Sequence, residues 1–260
     1  MITQTSSVRR ILGVPIHAAT AAQTIELCNS SIQAQDRLVI GVVNAAKIVR
    51  MQKQPQLRDA VLGADLVLAD GMSVVWASRI LGQPLPERIT GIDLFYSLLD
   101  LANKHNYCVY LLGAEQSVLD KVIERINEAY PNVGIAGAQN GYFKEEESAA
   151  VAEDIRNSNA DILFVAITSP KKEVFLEAYG DNLRVPVCHG VGGTFDIMAG
   201  KVKRAPEIWQ RLGIEWLYRT FQEPRRMWKR YLVTNTQFLW MLLIELTRKV
   251  RKPSTEVSKS

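Results

Sequence analysis

An alternation of short apolar runs with amphipathic stretches occupies residues 38–200, and it limits the possible folds more than any other feature. Six apolar runs have the length of buried strands: LVIGVV, LVLAD, YCVYLLG, VGIAGA, DILFVAIT and VPVCHGVG. Strands that alternate with helices build a mainly parallel sheet with helices on both faces. The sequence therefore predicts an α/β, Rossmann-like domain whose ligands bind beyond the carboxyl ends of its strands.

The stretch EQSVLDKVIERINEAYP illustrates the helical part of this alternation. Val118, Val122, Ile126 and Ala129 recur at helical spacing, and charged residues occupy the opposite face. We therefore expect these four side chains to face the core and Pro131 to end the helix.

The character of the chain changes near Lys201, beyond which we find no further strand pattern. Residues 201–260 carry 14 Lys/Arg and 5 Asp/Glu, a local charge of +9, whereas the rest carries 17 and 22, a charge of −5. We predict a Rossmann-like domain over residues 1–200, a basic helical appendage over 201–250 and a disordered tail over 251–260. The basic appendage suggests an anionic partner, such as a membrane surface, a nucleic acid or a polyphosphate.

The first 37 residues have a weaker pattern, which we interpret as an edge strand and one helix. They lack the apolar core of a signal peptide, and no run in the chain reaches the roughly 18 to 20 apolar residues of a membrane span. Cys28, Cys108 and Cys188 have no metal-ligand spacing, so we expect free thiols in a reducing compartment. These features predict a cytoplasmic protein.

Polar residues follow the first two strands of the predicted sheet. Asn44 ends VVN, where it could cap the next helix or bind a substrate hydroxyl or amide. Asp70 follows LVLA and precedes Gly71, so it could be a helix cap or a general base. From the residues alone, both alternatives stay open at each position.

Two further candidates lie in loops. Arg88 belongs to the Pro- and Gly-rich segment GQPLPERITGID, and its fork of donors suits a diphosphate, although a surface ion pair is the more ordinary role. Tyr142, in QNGYFKEEE, could stack on a base or a sugar, but such an aromatic ring more often packs.

The segment SPKKE predicts a helix that Ser169 caps, with Pro170 at its first position. Lys171 and Lys172 would then stand in the first turn, where the helix dipole disfavours cations. This conflict suggests an anionic ligand near the lysines.

The glycine cluster in GVGGTFD follows the sixth strand. Its spacing differs from the dinucleotide-binding fingerprint, so alone it is weak evidence. Backbone donors at Gly192 and Gly193 could hold a phosphate while Asp196 holds a ribose or a base.

Six motifs together resemble one known family. They are VVNAAKIV, ADGMSVVWASRILGQPLPERITGIDL, YLLGAEQSVLDKV, SPKKE, GVGGTFDIMAGKVKRAP and LGIEWLYRTFQEPRRMWKRYL, in that order. The set resembles the WecG/TagA/CpsF family of bacterial glycosyltransferases over about residues 8–245. The resemblance implies a Rossmann-like fold with a helical appendage. It also implies an inverting, metal-independent transfer of N-acetylmannosamine or a related hexose from a UDP-sugar to a polyprenyl-diphosphate-linked sugar, for a cell-surface polysaccharide such as teichoic acid, at the cytoplasmic membrane face.

The same resemblance implies roles for individual residues at the reacting groups. Asp70 matches the catalytic base, Asn44 a neighbour in the acceptor pocket, and Arg88 an active-site arginine. Two positions depart from the family pattern, because Lys172 replaces a frequent Gln and Val42 a frequent Thr. Both are expected near the sugar, so they leave its identity open.

The resemblance further implies binding positions for both substrates. Tyr142 and Asp196 match residues at the uridine, and the nearby glycines are the expected backbone donors to the diphosphate. Arg219, Arg226 and Lys229 fall on basic appendage positions that meet the lipid diphosphate. No cofactor and no metal site are implied.

An alternative class is a nucleic-acid- or polyanion-binding module, in which tryptophans of the appendage stack on single strands. The seven-residue spacings of Arg219 and Arg226, and of Trp209 and Trp216, instead favour a shared helical face that lies on a membrane. We therefore expect an anionic membrane surface as a partner, and no nucleic acid. A helical cap or an oligomer interface stays open as a further role for the appendage.

Overall fold

A computed structural model describes residues 7–211, 213–222 and 224–251. The chain begins with strands β1 (Val8–Ile11) and β2 (Val14–His17), which form an antiparallel hairpin, and helix α1 (Ala21–Ala34) follows. Of the predicted edge strand and one helix, the helix is confirmed, and a separate two-stranded hairpin takes the place of the single strand. The turn between the two strands pairs them with each other. The hairpin contacts the central sheet through His17, whose Nδ1 accepts a hydrogen bond of 3.0 Å from the backbone N–H of Val67.

Six further strands build the central sheet, and each overlaps an apolar run of the sequence. They are β3 (Leu38–Val43), β4 (Leu66–Ala69), β5 (Cys108–Gly113), β6 (Gly134–Gln139), β7 (Ile162–Ala166) and β8 (Val187–Gly190). All neighbours are parallel, in the order β4-β3-β8-β7-β5-β6. The predicted α/β, Rossmann-like fold is confirmed, and every strand delivers its carboxyl end to the same edge.

Helices cover both faces of the sheet, because alternate strand residues point to opposite sides. One face packs against α1, α5 (Gly91–His105), α6 (Gln116–Ala129) and α9 (Thr194–Met198). The other packs against α2 (Ala45–Met51), α3 (Pro55–Leu62), α4 (Met72–Ile80), α7 (Ser148–Asn157) and α8 (Lys171–Tyr179).

Helix α6 tests the periodicity argument. Val118, Val122 and Ile126 are buried as predicted. Ala129 is exposed, contrary to the expectation, since it is the last residue of the helix and lies beyond its packed turns. The helix ends before Pro131, as predicted.

The predicted helical appendage consists of α10 (Glu207–Arg211), α11 (Glu215–Gln222) and α12 (Pro224–Arg251). Thr234, Phe238 and Leu242 recur every four residues on the buried side of α12, which packs against α2. Phe238 and Leu242 belong to the same hydrophobic cluster as the hairpin and α2. The appendage is therefore joined to the core of the sheet domain.

The shared helical face predicted for Arg219 and Arg226 is wrong, because these residues lie on the two separate helices α11 and α12. Trp209 and Trp216 are likewise divided between α10 and α11. A seven-residue spacing defines a face only within one continuous helix. Within the described ranges, no helix is long and apolar enough to cross a membrane.

Candidate functional site

Asp70 lies directly after β4, at the carboxyl edge of the sheet. Its backbone N–H donates to Val43 O at 2.8 Å, which continues the β3–β4 pairing by one residue. Its Oδ1 accepts a hydrogen bond of 3.0 Å from the N–H of Gly91, the first residue of α5. The positive end of that helix favours the carboxylate. Asp70 is not the cap of α4, since Gly71 occupies that position.

Asn44 is the cap of α2, one of the two roles that the sequence left open, and it also contacts Asp70. Its Oδ1 accepts from the backbone N–H of Lys47 at 3.0 Å, so it caps α2. Its Nδ2 donates to Asp70 Oδ2 at 3.3 Å. The ends of β3 and β4 thus bring an amide and a carboxylate together, and one amide orients the carboxylate while it starts a helix.

His189, on β8, contacts the carbonyl of Gly91, the residue whose N–H binds Asp70. Its Nε2 lies 3.0 Å from Gly91 O, so the ring donates to that carbonyl through its Nε2–H. Complete burial lowers the pKa of His189 to about 4 and keeps the ring neutral at pH 7. His189 contributes to the position of Asp70 through its hydrogen bond to Gly91.

Three charged side chains form the floor beneath this edge. Lys47 Nζ contacts Glu173 Oε1 at 2.8 Å and Val42 O at 2.7 Å. Lys172 Nζ lies 3.8 Å from the same Oε1 and 3.4 Å from Gly190 O. Burial lowers the pKa of Lys172 to about 8, an effect that Lys47 strengthens. Burial alone would raise the pKa of Glu173, but the two lysines lower it overall.

The start of α8 differs in part from the prediction. Lys171 and Lys172 do stand in its first turn, but Pro170 is the capping residue and the Ser169 hydroxyl makes no capping bond. Lys171 donates to Phe143 O at 2.7 Å and lies over the Phe143 ring, so its role is structural. Of the two lysines, only Lys172 reaches the site.

Arg88 forms an ion pair, as its ordinary role predicts, although it is partly buried rather than exposed at the surface. Its Nη1 contacts Glu215 Oε1 at 2.5 Å, and the two side chains are 15% and 19% exposed. The next residue, Ile89, donates its N–H to Ala69 O at 2.9 Å, which brings the loop alongside Asp70. An ion pair thus connects the edge of the site with the first turn of α11.

A second polar group surrounds the ends of β5 and β6. Lys201 Nζ contacts Glu115 Oε2 at 2.9 Å and Asp196 Oδ1 at 3.8 Å. Lys201, and to a smaller extent the Tyr142 hydroxyl, lowers the pKa of Glu115, and Tyr142 is 75% exposed. Tyr142 is therefore not a packed aromatic, and it lies in the same group as Asp196.

The glycine turn after β8 separates the two groups. Gly192 has a φ of +58°, and a Cβ there would lie 3.5 Å from Lys172 Nζ. A Cβ on Gly193 would meet nothing within 4 Å, so the space above this residue is open. The turn therefore presents its backbone to open space between Lys172 and Asp196.

The remaining predicted positions belong to the appendage. Arg219 lies on α11, and Arg226 and Lys229 lie on α12, but their side chains fall outside the described residues. In the part of the chain that the structure describes, no group of three His, Cys, Asp or Glu could hold a metal ion.

Fold and site define a parallel α/β protein with a polar ligand-binding edge. The chain belongs to the WecG/TagA/CpsF family of glycosyl transferases, whose model matches residues 9–252. A relative from Bacillus spizizenii, an N-acetylglucosaminyldiphosphoundecaprenol N-acetyl-beta-D-mannosaminyltransferase, is 39% identical over 180 residues, 69% of each chain. A Bacillus subtilis protein of the same name is 37% identical over 218 residues, 84% of each chain.

Sequence reasoning missed four residues that support the site. Gly91 and His189 hold Asp70, and Lys47 and Glu173 hold Lys172. Lys47 stands one turn after Asn44 and Glu173 directly follows Lys172, so both lie within quoted motifs. Their pairing spans 126 positions, and no local pattern indicates it.

Proposed function

We propose that this protein is an inverting glycosyltransferase that transfers N-acetylmannosamine, or a related hexose, from a UDP-sugar. The acceptor is a sugar on a polyprenyl diphosphate, as in the names of the two Bacillus relatives. The product enters a bacterial cell-surface polymer. The observation that carries the proposal is the oriented carboxylate of Asp70 at the ligand edge of the sheet, in a chain of this family.

Asp70 would be the general base. The acceptor hydroxyl oxygen forms a bond to the anomeric carbon while the bond from that carbon to the diphosphate breaks. The hydroxyl proton passes to Asp70, and UDP leaves with the bonding electron pair. A single displacement of this kind inverts the configuration. Asn44 and Gly91 orient the carboxylate for this proton transfer, because each donates a hydrogen bond to a different carboxylate oxygen.

The departing UDP needs positive charge nearby. Lys172 and Arg88 are two cationic side chains near the Asp70 edge, and the open glycine turn offers backbone donors. Tyr142 and Asp196 then suit the uridine, since they lie together on the other side of the turn. We propose that these groups stabilise the leaving group without a metal ion.

Exposed apolar residues on helix α12 support a peripheral position of this protein on the membrane. Trp228, Leu232, Leu239 and Leu243 are all more than half exposed, and their spacings of four, seven and four residues place them on one face. This face is rotated by roughly 110° around the helix axis from the buried one. Trp240 is also 62% exposed. An apolar stripe on a basic helix suits insertion into the interface of an anionic bilayer, where the acceptor's lipid resides.

Product analysis tests the proposed activity directly. The purified full chain is incubated with a panel of UDP-sugars and a short-chain lipid diphosphate that carries N-acetylglucosamine, and products are identified by mass. We expect a product one hexose-derived residue heavier, with UDP-N-acetylmannosamine or a related donor. Absence of any transfer product across the panel, from protein that is folded, would refute the proposal.

A further inference from the structure

Two buried lysines share one carboxylate oxygen on the floor of the site. Lys47, Lys172 and Glu173 carry two positive charges and one negative charge, and the Glu173 Oε1 atom contacts both ammonium groups. The other oxygen of Glu173 is buried without a hydrogen-bond partner in the described part of the chain. These three side chains by themselves carry a net positive charge, and the nearby carboxylate of Asp70 opposes it.

The two lysines are unequally satisfied. Lys47 makes two short contacts, of 2.8 Å to Glu173 and 2.7 Å to Val42 O. Lys172 makes one long hydrogen bond, of 3.4 Å to Gly190 O, and its distance of 3.8 Å to Glu173 exceeds that of a hydrogen bond. An ammonium has three N–H donors, so Lys172 retains donor capacity although only 8% of it is exposed.

The surroundings of Lys172 suit an approaching ligand. A Cβ on Gly190 would lie 3.3 to 3.6 Å from its last three side-chain atoms, and one on Gly192 would lie 3.5 Å from Nζ. Glycine at both positions therefore leaves the ammonium free of side-chain cover from the turn. The charge of Asp70 acts on the same ammonium and opposes the lowering of its pKa.

We propose that Lys172 binds an anionic oxygen of the donor, and that the Lys47–Glu173 pair positions it for this contact. The anionic oxygen belongs either to the donor's diphosphate or to a carboxylate on its sugar. This inference rests on the proposed function, and it makes Lys172 a determinant of donor recognition.

Proton binding supplies a readout that a purely structural lysine would not give. Lys172 is cationic below its pKa of about 8 and loses its proton above it. The charged groups around it are Lys47 on α2, Glu173 on α8 and Asp70 after β4, while His189 on β8 is neutral at pH 7. Affinity for an anionic donor should therefore fall as the pH rises through about 8.

The test uses the full chain and two substitutions, Lys172→Gln and Lys172→Arg. Calorimetry measures the binding of UDP and of uridine, and steady-state rates compare a neutral UDP-hexosamine with a UDP-hexuronate. If the diphosphate is the partner, K172Q weakens UDP binding by about 10- to 100-fold, the usual range for a charged hydrogen bond, and leaves uridine binding unchanged. If a sugar carboxylate is the partner, only the KM of the UDP-hexuronate rises. K172R retains most of the affinity in either case.

Glu173→Gln tests the positioning role. It removes a carboxylate that contacts Lys172 and raises its pKa, so the pH at which donor affinity falls should move downward. The inference would be overturned if folded K172Q binds UDP within twofold of wild type and its KM for each of the two donors also matches the wild-type value. A wild-type protein that binds no UDP would instead refute the proposed function, and the two failures are thus distinguishable.

Discussion

Replacing Phe238 by alanine tests whether helix α12 is part of the folded core. Phe238 is 3% exposed and belongs to the cluster that also contains the N-terminal hairpin and α2. Truncating a buried phenylalanine costs about 3 to 5 kcal/mol through lost burial and the cavity that remains. At about 2 °C or more per kcal/mol for a chain of this size, the thermal midpoint should fall by roughly 6 °C or more.

The adjacent residue offers a matched control. Leu239 is 63% exposed and lies about 100° around the axis of α12 from Phe238, so Leu239→Ala should change the free energy of unfolding by less than about 0.5 kcal/mol. The two variants are compared by calorimetry in the absence of lipid. Equal midpoints would refute the assignment of α12 to the core. Deleting the whole appendage is a less selective test, because it also strips Phe238 and Leu242 from the core.

The same pair separates folding from membrane association. If Leu239 enters a bilayer, its truncation should weaken binding to anionic vesicles by roughly 10- to 60-fold, since the change removes three carbon atoms and about 0.8 kcal/mol is lost per fully buried methylene. Co-sedimentation with vesicles of anionic phospholipid measures this effect, and raised salt should weaken the binding of wild type. Unchanged vesicle binding by Leu239→Ala would contradict insertion of the apolar stripe.

Three further outcomes are expected at the site. Asp70→Asn should retain UDP binding and the fold but lose about 10²- to 10⁴-fold in transfer rate, and near wild-type turnover would exclude a general-base role. A double-mutant cycle of Arg88→Met and Glu215→Gln, measured by denaturant unfolding, should give a coupling free energy of about 1 to 3 kcal/mol. The two side chains are 15% and 19% exposed, so the value should lie between those of surface and of buried salt bridges. Additive effects of the two substitutions would argue against the ion pair. Gly213→Ala should displace the start of α11 and lower thermal stability, since Gly213 has a φ of +68° and an added Cβ would lie 2.5 Å from Met72 Cβ; an unchanged midpoint would mean that this approach is relaxed in solution.

Local pattern was sufficient for the strands and for most of the buried helical positions. The run LVIGVV was predicted as a buried strand and is β3, because an apolar run of that length has few other stable placements. Val118, Val122 and Ile126 followed from spacing alone. The hairpin of β1 and β2 was missed, since a short strand with few apolar residues does not reveal its partner.

Capping and surface assignments were less secure, because they depend on neighbours in space. Asn44 was predicted either to cap a helix or to bind a substrate; it is a cap, and its contact with Asp70 was not predicted. Ser169 was predicted as a cap and is not one. Arg88 was expected to be exposed, but Glu215 partly covers it from 127 positions away.

The sequence by itself determined the α/β class, the order of the strands along the chain and the polar residues that follow them. Those properties depend on hydrophobic period and turn chemistry, which act over a few residues. Only the tertiary structure decided which strand ends adjoin, and hence that Asp70, Gly91 and His189 meet while Lys47 and Glu173 hold Lys172. The physical reason is that strand order and burial bring charges together across the fold, and their mutual fields depend on distance in space rather than along the chain.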